Sequence, residues 1–79
     1  MYNFIHRFAI NLQCGLVGDI AFHYNPRFDQ GTVVRNTHVG GWGGEELAGS
    51  MPFTKNQRFE ILIQVEAGCY RVCLVGMII

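Results

Sequence analysis

The 79-residue chain has no excess of either charge: six lysines and arginines balance six aspartates and glutamates, scattered along the sequence. A net charge of zero leaves no electrostatic footprint for a nucleic-acid partner. No apolar run approaches the roughly 20 residues needed to cross a bilayer, and the most apolar end, Val72 to Ile79, is far too short, so no membrane insertion is expected. The opening Met1-Tyr2-Asn3-Phe4-Ile5-His6-Arg7 lacks a basic region followed by a continuous apolar stretch, and does not read as a signal peptide. Cys14, Cys69 and Cys73 are odd in number and without framework spacing, which favours a reduced, cytoplasmic origin over a disulfide scaffold. There is no repeat, linker or low-complexity segment. What remains is one small domain, of a size at which a single core is marginal.

Helical periodicity is missing too, and two-residue alternation takes its place. Phe8, Ile10 and Leu12 share one face, with Ala9, Asn11 and Gln13 on the other. Gly15 to Gly18 turns into a strand over Asp19–Phe28, Asp29-Gln30-Gly31 turns again, and a strand follows over Thr32–Thr37. Gly40-Gly41-Trp42-Gly43-Gly44 is a glycine-rich bend that can hold Trp42 outward. Thr54–Gln57 leads to Phe59–Glu66, where Phe59, Ile61, Ile63 and Val65 line one face, and Ala67-Gly68 turns into Tyr70–Val75. Short strands at this spacing predict an all-β fold, an antiparallel β-sandwich.

The strand Asp19–Phe28 carries the chemistry. Ile20, Phe22 and Tyr24 alternate onto the core face, which leaves His23, Asn25 and Arg27 side by side on the other. Three polar side chains along about 13 Å form a ledge of hydrogen-bonding groups rather than a catalytic point. Pro26 cannot donate to a ladder and is expected at a bulge or an edge. Asn36, Trp42 and Glu45 follow within twenty residues. A flat aromatic beside a row of donors and acceptors suits an uncharged, hydroxyl-rich ligand with one apolar face, which describes a sugar. Arg35 points away from Asn36, so its guanidinium needs a carboxylate partner or a route to solvent. Nothing supports catalysis. Glu45 and Glu46 are adjacent and face opposite ways, unlike the facing acid and nucleophile of a glycosidase. Cys69 and Cys73 lie on one strand without a paired histidine motif, so no metal and no cofactor is expected.

At these residues the chain resembles the galectin carbohydrate-recognition domain. His23-Tyr24-Asn25-Pro26-Arg27, then Val34-Arg35-Asn36, then Trp42-Gly43-Gly44-Glu45 match the family's His-x-Asn-Pro-Arg, Val-x-Asn and Trp-Gly-x-Glu in order and near-equal spacing. Val33-Val34-Arg35-Asn36-Thr37 is closest in style to the tandem-repeat galectins, and Met51-Pro52-Phe53 and Phe59-Glu60-Ile61 also read like galectin text. The resemblance implies a jelly-roll, concanavalin-A-like antiparallel sandwich, incomplete here. A partial domain over residues 7–75 would carry four sugar-side and two back-side strands, between divergent termini at 1–6 and 76–79.

It further implies a lectin for β-galactosides, of the lactose or N-acetyllactosamine type, on glycoproteins or glycolipids. His23, Asn25 and Arg27 would bond the axial O4 of galactose, Asn36 the O6 hydroxyl, and Trp42 would stack on the sugar's apolar face. Glu45 would accept hydroxyls and hold Arg27. Family members are made in the cytosol and exported by a non-classical route, which is the localisation implied. One departure stands out: where the family has an arginine after Glu45-Glu46, this chain has Leu47. That arginine steadies the glutamate and reaches a second sugar. The alternative reading is a truncated isoform without sugar binding, associating through exposed sheet edges or inactive.

Overall fold

The computed structural model describes residues 6–14 and 18–78. Of the turn expected at Gly15–Gly18, only Gly18 lies among them, and most of the segment 1–6 lies outside them. The strands are β1 (Ile10–Cys14), β2 (Asp19–Arg27), β3 (Thr32–His38), β4 (Arg58–Val65) and β5 (Tyr70–Ile78). They form an antiparallel three-stranded sheet, β1-β2-β3, and a separate antiparallel pair, β4-β5. The fourth front strand expected from the resemblance is reduced to isolated bridges, Arg35 to Glu46 and His38 to Trp42. Glycine-rich text makes a poor ladder, because backbone without side chains gives little to pack. β5 runs on through Ile78, beyond the Val75 at which the strand was expected to stop.

Alternation builds the core between the sheets. Phe22, Tyr24 and Val33 are buried from the front, Phe53 closes one end, and Phe59, Ile61, Ile63, Tyr70, Val72 and Leu74 pack from behind. Rings stack across the gap, Phe22 on Tyr70 at 4.6 Å between centroids and Phe8 on Phe59 at 5.4 Å. Val65, expected in the inward row of β4, is 74% exposed. It is the last residue of β4.

Pro26 corrects a second expectation. It lies in the middle strand, fully buried and paired with Val33, and the register shifts fall elsewhere, between Leu12 and Gln13 and between Ile20 and His23. Its place is tolerated because the segment opposite continues only as the bridge from Arg7 to Arg27, and a side chain makes up for the missing donor.

Candidate functional site

Register sets the site. His23 pairs with Asn11 on one side and Asn36 on the other, Asn25 pairs with Val34, and Arg27 with Thr32. Because directly paired residues share a face, this row is the outer surface of the front sheet. An open groove of about 340 Å³ runs along it, walled by His23, Arg27, Asn36, Trp42, Gly43 and Glu45. Val34, 1% exposed, is its apolar floor.

Asn25 lies beneath this groove rather than on its wall. At 5% exposure it donates Nδ2–H to the Phe8 carbonyl at 2.6 Å and accepts from Arg27 Nε at 2.7 Å. The reason is the neighbouring proline. Phe8 N–H donates to the Pro26 carbonyl at 3.1 Å, and residues so paired normally exchange both bonds. Pro26 has no N–H to return, so the Asn25 amide serves the Phe8 carbonyl instead. The two bonds use one of the amide's hydrogens and one carbonyl lone pair.

Arg27 is held on three sides. Besides Asn25, its NH1 donates to Gln30 Oε1 at 3.1 Å and its NH2 meets Glu45 Oε2 at 3.5 Å. A fork committed at every nitrogen keeps one orientation, so its remaining hydrogens point at a fixed place. Glu46, next along, turns the other way to Arg35 Nε at 3.3 Å. Arg35 NH2 also bonds the Ala48 carbonyl. The expected carboxylate partner of Arg35 is therefore present.

His23 Nδ1 lies 2.5 Å from Asn11 Oδ1. An amide oxygen only accepts, so Nδ1 carries the proton and Nε2 is left as an acceptor. Desolvation, then the positive charge of Arg27, lower the His23 pKa, opposed by the Asn25 side chain. The ring is thus kept neutral, which is the form that can accept from a hydroxyl.

Trp42 projects from the bend after β3, 54% exposed, as the sequence predicts. The bend is closed by Gly43 N–H to Thr37 O at 3.0 Å, Asn36 Nδ2 to Gly43 O at 3.0 Å and Gly40 N–H to Asp19 Oδ1 at 3.2 Å. Gly40 has φ 67°, which a residue with a side chain resists. A Cβ at Gly43 would lie 3.3 Å from Asn36 Oδ1, crowding the groove wall. The indole packs between two imidazoles, His23 at 4.7 Å and His38 at 4.9 Å.

Of the six residues singled out, His23, Arg27, Asn36, Trp42 and Glu45 meet around the groove, and Asn25 braces them from below. Sequence reasoning missed Asn11, Gln30 and His38 as supports. Alternation had placed Asn11 on the outer face, but only the register shows that it meets His23. Among the described residues no cluster of three or more histidine, cysteine, aspartate or glutamate side chains could hold a metal ion.

The family profile described as "Galactoside-binding lectin" matches residues 2–77. The chain is 45% identical over 71 residues to a "32 kDa beta-galactoside-binding lectin" of Haemonchus contortus, covering 89% of this chain and 25% of that one. It is 47% identical over 74 residues to human "Galectin-4", covering 89% and 23%, and 48% identical over 60 residues to rat "Galectin-7", covering 72% and 44%. The chain thus spans about a quarter of the length of the first of these relatives.

Proposed function

The chain belongs to the galactoside-binding lectin family, the galectins, and from that premise we propose that its groove binds the galactose end of β-galactoside glycans. The observation that carries the reading is the convergence of His23, Arg27, Asn36, Trp42 and Glu45 over the apolar floor of Val34. In this reading His23 Nε2 accepts from the axial O4 hydroxyl and Arg27 donates to that oxygen. Asn36 has an amide hydrogen beyond the one given to Gly43, and offers it to O6. Trp42 stacks on the apolar face of the ring, and Glu45 accepts a hydroxyl while holding Arg27. Asn25 acts mainly by fixing Arg27. No step of chemistry is called for; the protein is a binding protein, not an enzyme. The thiols of Cys69 and Cys73 are unpaired, which fits synthesis in a reducing compartment before export to glycoproteins or glycolipids.

Retention on immobilised lactose, with release by free lactose but not sucrose, tests this. A folded protein that passes straight through would favour the non-binding alternative. The second sugar is a separate matter. Leu47, 49% exposed, offers no charge where the family's arginine reaches beyond galactose. A charge-assisted hydrogen bond is worth about 1.5–3 kcal/mol, so Leu47→Arg is expected to tighten N-acetyllactosamine binding by more than about tenfold. Equal affinities by calorimetry would show that another residue does this work.

A further inference from the structure

Leu47 is outside the groove wall, yet it stands in line with the groove floor. The bridge between Arg35 and Glu46 is antiparallel and closed by both backbone bonds, Arg35 N–H to Glu46 O at 3.0 Å and Glu46 N–H to Arg35 O at 2.9 Å. That register sets Asn36 opposite Glu45 and Val34 opposite Leu47. Asn36 and Glu45 share the groove wall, and by alternation Val34 and Leu47 face the same way. Glu46, between Glu45 and Leu47, turns to Arg35 on the other side. Because β2 pairs Asn25 with Val34, one row runs across the face: Asn25, Val34, Leu47. Asn25 and Val34 are buried, whereas Leu47 is half exposed. No charged residue occurs between Glu46 and Lys55, so the segment that carries Leu47 onward brings only apolar and neutral groups.

Resting on the sugar-binding reading above, we propose that Leu47 forms a subsite for an apolar aglycone, so that the preferred ligand is a β-galactoside whose anomeric oxygen carries a hydrocarbon group rather than a second sugar. The direction follows from the ring. That reading puts O4 at His23 and Arg27, which flank Asn25 on β2, and O6 at Asn36 on β3. C1 lies across a pyranose ring from C4, so the anomeric oxygen points away from β2 and over the Val34 floor. A β-linked oxygen is equatorial on C1 and extends the ring along that line. Neighbouring backbone segments are about 4.8 Å apart, and the next side chain along the row is Leu47. A leucine offers neither donor nor acceptor, so sugar hydroxyls placed against it would lose water without replacement bonds. A hydrocarbon group loses nothing there, and it removes the exposed part of Leu47 from water.

Calorimetric titration with methyl, hexyl and phenyl β-D-galactosides separates the sugar from the aglycone. The hexyl and phenyl galactosides are expected to bind about tenfold tighter than the methyl one, the gain from burying roughly 55 Å² of apolar surface. Leu47→Ser should bring both ratios to within about twofold of one, and Leu47→Arg should do the same for the hexyl galactoside. A gain shown by hexyl alone or by phenyl alone upholds the subsite, and distinguishes a lipid-like chain from a flat ring as the group it takes. Equal binding of all three by the unaltered chain overturns the proposal and leaves the sugar-binding reading standing. A hexyl ratio that persists in both variants overturns it as well, because the gain then comes from another residue. If the methyl galactoside itself is not bound, the sugar-binding reading fails and this one with it.

Discussion

Trp42 leaves about half its surface in water because the bend around it is built of glycine, and among the described residues the rings that pack on it are two imidazoles. An indole kept exposed in this way is available to a ligand rather than to the core. Trp42→Leu is expected to cost about 1–3 kcal/mol of lactose affinity, as for other stacked rings, or roughly 5- to 150-fold. Unchanged affinity in a folded variant, measured by calorimetry, would remove the stacking role. His23 sets the acid limit of the site. Its pKa is lowered by burial first and Arg27 second, so the neutral acceptor persists below the ordinary histidine range. Lactose binding is therefore expected to fall away only as pH drops through that lowered value. Stability has the same sign: a depressed folded pKa contributes stability above the unfolded value, and that contribution is lost as pH falls through the folded one. A His23→Gln variant should lose the acid limb of both curves, and a limb that survives in it belongs to another group.

At the scale of the strand, Asn25 and Pro26 form one device. Proline removes the donor that Phe8 would receive from β2, and asparagine, one residue before it, returns that donor from a side chain. The same amide then grips Arg27, so strand pairing and the orientation of the guanidinium depend on one residue. Asn25→Ala would leave the part-buried Phe8 carbonyl without this partner, which costs about 1 kcal/mol. Chemical denaturation should show that loss, and lactose affinity should drop as well because Arg27 loses its shortest contact. Pro26→Ala in the Asn25→Ala background restores a backbone N–H, and is expected to recover stability without recovering affinity. Recovery of both would mean that Asn25 does not position Arg27.

The whole chain is lightly covered. The fully buried apolar set is small, and much of what surrounds it is only half-buried. On the back pair, Leu62, Val65 and Val75 are 48%, 74% and 61% exposed. Among the described residues β1 has one neighbouring strand, and β4 and β5 have only each other. Open edges with apolar side chains beside them recruit other chains. The 79-residue chain by itself is expected to self-associate, with a sedimentation coefficient that rises with concentration. A monomer of constant mass that melts in one cooperative transition would show that the core suffices.

Local chemistry was enough to read the strands, the core face of β2 and the wall of the groove. Alternation is a property of the chain's own geometry, so Phe22 and Tyr24 inward with His23 and Arg27 outward follow from order alone. The motif residues likewise carry the family wherever they occur. What order could not supply was pairing between segments distant in sequence. Asn11 beside His23, Asp19 beside His38, and Asn25 serving Phe8 depend on register and on where the bulges fall. Those are decided by how the sheets pack, since a shift of one residue exchanges the faces of a strand and only burial of the apolar face selects among registers. The same physics withdrew Asn25 from the wall and placed Pro26 in the central strand, because a donor was available there to replace the one that proline lacks.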